Sequence, residues 1–198
     1  MNDIVKNAQE FKSIAMQYIH RKGIENLLKW LDTTDFFNAP ASTRFHGSEP
    51  GGLCAHSLAV FKYLKNFQES ESDESIALVS LFHDICKVNY YKESFRNVKN
   101  DAGQWIKIPC YEVDERSVPL GHGEKSLYLL MKFIDVNDEE ALAIRWHMGF
   151  SAVEQTFEKS SMCKAMELSK LVLKLQTAAS GSPHNGKEAR YFSISGLL

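Results

Sequence analysis

Ser80-Leu81-Phe82-His83-Asp84-Ile85-Cys86-Lys87 is the stretch on which the fold turns, an apolar helix that runs into an adjacent histidine and aspartate. Ile76, Ala77, Leu78, Val79, Leu81, Phe82 and Ile85 make residues 74–86 hydrophobic nearly all round, as a helix through the centre of a domain must be. His83 and Asp84 are therefore expected indoors. An ionised carboxylate taken out of water loses much of its solvation unless a cation or a metal replaces it. Asp84 thus demands a positive partner, and the imidazole beside it points to a metal.

Outward from this helix, helical periodicity covers most of the chain. Upstream, Leu53, His56, Val60, Leu64 and Phe67 share one face, so His56 points where core residues point. Before it, residues 33–52 are loop chemistry rich in Pro, Gly and Ser. Ile4, Ala8, Phe11, Ala15 and Tyr18 predict a first amphipathic helix ending near Gly23, and Ile24, Leu27, Leu28 and Leu31 a second. Both are expected to lie on the core as a lid. Downstream, residues 95–113 predict a β-hairpin, with turn residues Asn100-Asp101-Ala102-Gly103 and with Pro109 confining its strand to an edge. Helices are expected again over 122–134, over 138–147 with Asn137 as N-cap and Glu140 three residues on, and over 162–179. The last would carry Met162, Met166, Ser169, Leu173 and Gln176 on one face. The expected fold is all-α, a helical bundle with one small β-hairpin insertion. It forms a single domain over 1–198, with N-terminal helices in 1–35, the core in 36–179 and an irregular tail in 180–198.

Composition narrows the function classes. At 198 residues, 44% hydrophobic and 24% charged, the chain can bury a core without disulfides. A net charge of −2 gives no global electrostatic footprint for nucleic acid or an anionic membrane. The four cysteines, Cys54, Cys86, Cys110 and Cys163, form no C-x-x-C pair and read as reduced thiols. No signal sequence or run of about 18 apolar residues is found, which predicts a cytoplasmic protein without membrane attachment.

Four of the seven histidines, His56, His83, His122 and His147, fall on faces that otherwise carry apolar residues. Any one of them alone reads as a hydrogen-bonded core imidazole; four together with a buried acid read as a metal centre. Imidazole and carboxylate without thiolate suit Mn, Fe, Ni, Co or Zn. Five ligands exceed one tetrahedral site, so one or two divalent transition ions are expected, with Asp84 as the bridge. Two ions about 3.5–4 Å apart suit phosphoryl chemistry and bring a bound water from a pKa of about 15.7 to about 7.

The order His56, then His83-Asp84, then His122, then His147 resembles the HD-domain superfamily of metal-dependent phosphohydrolases. The motifs are Gly51-Gly52-Leu53-Cys54-Ala55-His56, Phe82-His83-Asp84-Ile85-Cys86-Lys87, Gly121-His122-Gly123 and Trp146-His147-Met148-Gly149. The run Asn38-Ala39-Pro40-Ala41-Ser42, followed by Phe45-His46-Gly47, is similar to the start of the HD domain of bacterial 3′-to-5′ exoribonucleases. The resemblance implies an HD-type bundle, a water-activating metal centre and a small phosphorylated substrate such as a nucleotide. It makes Asp84 and Lys87 catalytic, with Lys87 near the substrate phosphate, and Arg145 and Arg44 candidate phosphate contacts.

The chain departs from the family twice. Gln176 stands where the last metal-binding aspartate is usual, offering only a neutral carbonyl, and Cys86 replaces a glycine. Two alternatives to hydrolysis therefore stay open: a degenerate module that binds nucleotide or metal without turnover, and exoribonuclease-like processing of short oligonucleotides. The second is disfavoured by the missing nucleic-acid-binding domain. Tyr90, Tyr91 and Trp105 could stack on a base if the hairpin overhangs the pocket.

Overall fold

A computed structural model describes residues 3–44, 47–66, 71–114, 119–149 and 156–181. Among them are eight α-helices and one two-stranded antiparallel sheet. The helices are α1 Ile4–Tyr18, α2 Ile24–Asp32, α3 Gly52–Asn66, α4 Asp73–Phe82, α5 His122–Leu130, α6 Asp138–Trp146, α7 Thr156–Leu168 and α8 Lys170–Gly181. The strands are β1 Tyr91–Lys99 and β2 Trp105–Val113. None of the described helices is long and apolar enough to cross a membrane.

The central helix is α4. Ser72 caps it by accepting the Ser75 N–H at 3.0 Å, and Asp73 and Glu74 place negative charge at its positive end. Every residue from Ile76 to Phe82 is buried, as the all-round apolar pattern requires. The helix is shorter than expected, however. It stops at Phe82, and Ile85–Lys87 form a separate 3-10 turn with Asp84 as its N-cap.

The first two helices are part of the core rather than a lid over it. Phe11 of α1 is wholly buried and meets Phe36, Phe37 and Phe82 edge-on at centroid distances of 5.1, 5.7 and 5.5 Å. Edge-to-face geometry suits the ring quadrupoles, and the cluster pins the end of α4 immediately before His83. Helix α1 ends at Tyr18 with an extended Ile19 cap, earlier than Gly23. Gly23, at φ +102°, opens α2 instead, and a Cβ there would collide with the Phe133 carbonyl.

One buried tie sets α6. Glu140, fully buried, accepts both Arg21 guanidinium N–H groups at 2.6 Å and the Ser75 hydroxyl at 2.6 Å. It also completes the expected capping box with Asn137. Burial pushes the Glu140 carboxyl up, but Arg21 and Ser75 outweigh it and hold it below its ordinary value. The α1–α2 link, α4 and α6 are thereby fixed together.

The hairpin starts earlier than expected, at Tyr91. Its register runs from Tyr91 opposite Val113, through Phe95 opposite Pro109, to Lys99 opposite Trp105. With two strands both are edges, so Pro109 removes no ladder partner the sheet needs. Near the tip Trp105, 68% exposed, lies under the Lys99 ammonium. Eight steps of about 3.3 Å put this pair about 26 Å along the ribbon from Tyr91. Tyr90 and Tyr91 therefore remain at the bundle while Trp105 projects away.

The expected single helix over 162–179 is two, α7 and α8, broken at Ser169. The break resets the phase. Met162 faces the core, but in α8 it is Leu171, Val172, Leu175 and Ala178 that are buried, leaving Leu173 and Gln176 half-buried. The expected α5 is also shorter, ending at Leu130 and continuing as a turn. His46, Phe67, His184 and the 182–198 tail lie outside the described residues.

Candidate metal centre

Four elements bring the histidines together. Helix α3 presents His56 on its buried face, α4 ends in His83, α5 begins with His122 and α6 ends in His147. Helix α4 packs on α3 and α6, the 3-10 turn packs on α5, and α5 packs on α6. The closest approach of α5 and α6 depends on Gly123, where any Cβ would strike the Arg145 carbonyl. That approach sets the His122 and His147 rings 5.1 Å apart.

All four imidazoles point at the Asp84 carboxylate, divided between its two oxygens. Oδ2 lies 2.7 Å from Lys87 Nζ, 3.5 Å from His83 Nε2 and 3.7 Å from His56 Nε2. Oδ1 lies 2.6 Å from His122 Nε2 and 3.4 Å from His147 Nε2. Two donor sets result, His56–His83–Asp84 and Asp84–His122–His147, each with its ligand atoms within 4.8 Å of one another. The first is wholly buried, whereas His122 keeps 27% of its side chain exposed and opens the second toward solvent.

Two ring nitrogens are fixed by helix geometry. His83 Nδ1 donates to the Ser80 carbonyl at 2.9 Å and His147 Nδ1 to the Ile144 carbonyl at 2.7 Å. A carbonyl only accepts, so in the neutral rings both Nε2 atoms carry bare lone pairs. Burial pushes the His83 imidazole well below its ordinary pKa, helped by His147 and His56 and opposed by Asp84. Burial pushes the Asp84 carboxyl up, but Lys87, His83 and His122 overcome it and hold the group well below the usual carboxylate range.

These facts test whether the residues fit a metal. His147 Nε2 is buried without a hydrogen-bond partner, and it faces a charged carboxylate oxygen at 3.4 Å. His56 and His83 bring their Nε2 atoms within 3.2 Å of each other beside the second oxygen. A His147 lone pair aimed at an anion is unfavourable unless a cation stands between them, and Nδ1–H bonded to a carbonyl is the orientation that readies Nε2 as a ligand. The buried histidine and aspartate clusters can hold a metal.

The other expected site residues fare unevenly. Lys87 joins the cluster directly through Asp84 Oδ2. Gln176 reaches the same end of the bundle, its amide packed where a Cβ on Gly149 would sit, two residues past His147. Arg145 is held elsewhere, paired with Glu124 and stacked 4.0 Å from the centroid of the Trp146 ring. Arg44 is exposed on its loop. His20 is also exposed, its backbone N–H bonded to Glu74.

Three further groups lie near the centre, of which Ser126 was not singled out by the sequence. Tyr91 is half-buried, with its hydroxyl donating to the Ala41 carbonyl at 3.4 Å, and burial and Asp84 raise its pKa. Cys86 Sγ lies 3.2 Å from His122 Nδ1, and burial pushes this thiol up to about 12. Ser126 Oγ accepts the Cys86 backbone N–H at 3.3 Å. The carbonyl partners of His83 and His147 were discoverable, because a histidine at a helix C-terminus has the carbonyl three residues back within reach. Comparison of the chain with protein-family models, with curated proteins and with solved structures returns no match.

Proposed function

We propose that the chain is an HD-type, metal-dependent phosphohydrolase acting on a phosphate ester of a nucleotide or related phosphodiester. The observation that supports this most is the meeting of four imidazoles on the two oxygens of one buried carboxylate, with His147 Nε2 left unpartnered. His56, His83 and Asp84 would hold one ion and Asp84, His122 and His147 a second. Such ions, when bound, supply Lewis acidity toward a phosphoryl oxygen and bring water to a near-neutral pKa. Manganese, iron, nickel, cobalt and zinc all suit this donor set.

The chain's own groups would do the remaining work. Substrate would arrive on the His122 side, where the side chain is 27% exposed among the described residues. Lys87, 14% exposed, holds its ammonium on Asp84 Oδ2, while His122 approaches the other oxygen, Oδ1. The ammonium opposes the charge that builds on the phosphoryl oxygens. Asp84 stays ionised through its surroundings, and the Ser80 and Ile144 carbonyls keep His83 and His147 aimed. The expected roles of Arg145 and Arg44 are not part of this proposal, since Glu124 and Trp146 already engage Arg145 and Arg44 is exposed on its loop.

One observation favours a second reading, a module that binds metal and nucleotide without turnover. Gln176 offers a neutral amide, packed on Gly149, where the resemblance expects an acid. Both readings are tested by loading the purified chain with each metal and assaying a panel of nucleotides and phosphodiesters with and without chelator. Hydrolysis that is lost to chelator and restored by metal supports the enzyme. Bound metal without turnover, with activity gained in Gln176→Asp, supports the module.

A further inference from the structure

The outer half of the hairpin, residues 95–109, projects away from the metal centre, and its two faces differ in chemistry. Alternate side chains of a strand point to opposite faces, and directly opposed residues share one. The register therefore puts Phe95, Asn97 and Lys99 of β1 on the same face as Pro109, Lys107 and Trp105 of β2. The reverse face carries Val98, Ile106, Ile108 and one cation, Arg96. Phe95 at 67% and Trp105 at 68% are among the most exposed large apolar side chains of the described residues. Both stand on the first face, with Lys107 between them along the ribbon.

Charge decides what such a face can hold. Residues 95–109 contain Arg96, Lys99 and Lys107 against one acid, Asp101 in the turn. Glu93 and Glu112 lie nearer the bundle, and Lys92 and Ser94 already engage Glu112. The net charge of −2 thus conceals a positive outer end on the ribbon. Two copies laid face to face over their outer halves would bring Lys99 and Lys107 against like charges. A polyanion that carries flat apolar rings is the complementary occupant. An unpaired nucleic-acid strand has that chemistry, its bases stacking on aromatic side chains while cations track its phosphates. Four steps of about 3.3 Å put Phe95 about 13 Å from the level of the Lys99–Trp105 pair, so the two rings form separate platforms along one path.

We propose that the outer half of the β1–β2 ribbon is an arm that binds single-stranded nucleic acid, with Phe95 and Trp105 as stacking platforms and Lys99 and Lys107 as phosphate contacts. Phosphates and base faces carry no sequence code, so RNA and DNA strands are bound alike. This binding goes beyond the proposed hydrolysis and does not use the metal centre.

The test is fluorescence anisotropy of short fluorescein-labelled oligo(dT) and oligo(U), and of a duplex of the same length, titrated with the metal-stripped full chain in chelator. Wild type is expected to bind both single strands at low salt and the duplex more weakly, because paired bases are not free to stack. Trp105→Ala and Phe95→Ala are each expected to weaken binding about 5- to 150-fold, the usual cost of losing one stacked base. Lys107→Gln is expected to flatten the logarithmic salt dependence by about 0.7. All three side chains are exposed, and circular dichroism melting of each variant establishes that the fold is kept. No binding of either strand at low salt, duplex bound as tightly as single strand, or affinity unmoved by both aromatic substitutions overturns the arm. So does a wild-type dimer in sedimentation equilibrium that Trp105→Ala dissolves, which would assign the face to a second copy. Each of these failures leaves the metal centre and its proposed hydrolysis standing.

Discussion

His83 makes a testable contribution to the pH dependence of stability in the metal-stripped chain. Its ring is wholly buried, and desolvation keeps the native imidazole neutral well below its ordinary pKa of 6.5. As the pH falls through 6.5 the unfolded chain takes up a proton at His83 and the native chain does not. The unfolded state then binds more protons, so stability is intact above that pH and is lost below it. For a native ring that stays neutral, the loss between pH 7 and pH 5 is about 2 kcal/mol, or about 4–8 °C in Tm for a chain of this size. His83→Asn places an amide N–H where Nδ1–H donates to the Ser80 carbonyl, and it cannot titrate. Urea unfolding at both pH values, in chelator, should show wild type losing about 2 kcal/mol more than His83→Asn. Parallel losses in the two proteins would refute the reasoning, because a solvated or already protonated His83 contributes no such difference.

Two further outcomes concern the frame and the edge of the centre. Phe11→Ala removes the ring that ties Phe36, Phe37 and Phe82 together and is expected to cost about 3–5 kcal/mol by urea unfolding; a cost below about 1 kcal/mol would mean that the cluster does not pin α4. Arg145→Ala is expected to leave kcat/KM, for whichever compound of the nucleotide and phosphodiester panel the metal-loaded chain hydrolyses, within about threefold of wild type, because Glu124 and Trp146 engage the guanidinium; a loss beyond about a hundredfold would return Arg145 to the site.

The sequence reading succeeded where a signal is local and periodic. The run Ile76 to Phe82 is apolar on every side and is wholly buried, and the Asn137–Glu140 spacing produced the capping box it implied. The positions of His56, His83, His122 and His147 on core-facing stretches were readable for the same reason. It went astray where long-range packing decides. Gly23 read as a helix stop but serves the close passage of α2 under the Phe133 carbonyl, a contact more than a hundred residues away in sequence. The break at Ser169 has no proline or glycine to announce it, so the phase carried from Met162 to Gln176 was wrong for α8. The Cys86–His122 contact joins residues 36 apart in the chain, and nothing in either local stretch specifies it.

The central claim is that Asp84 is the shared anionic ligand of a metal centre. Elemental analysis of the full chain after metal loading and dialysis, set beside Asp84→Asn treated identically, tests it most directly. Wild type should retain one or two equivalents of transition metal per chain, and Asp84→Asn, with its helical circular dichroism intact, should retain none. Equal metal in the two proteins, or a wild type that holds no metal after loading, would contradict it.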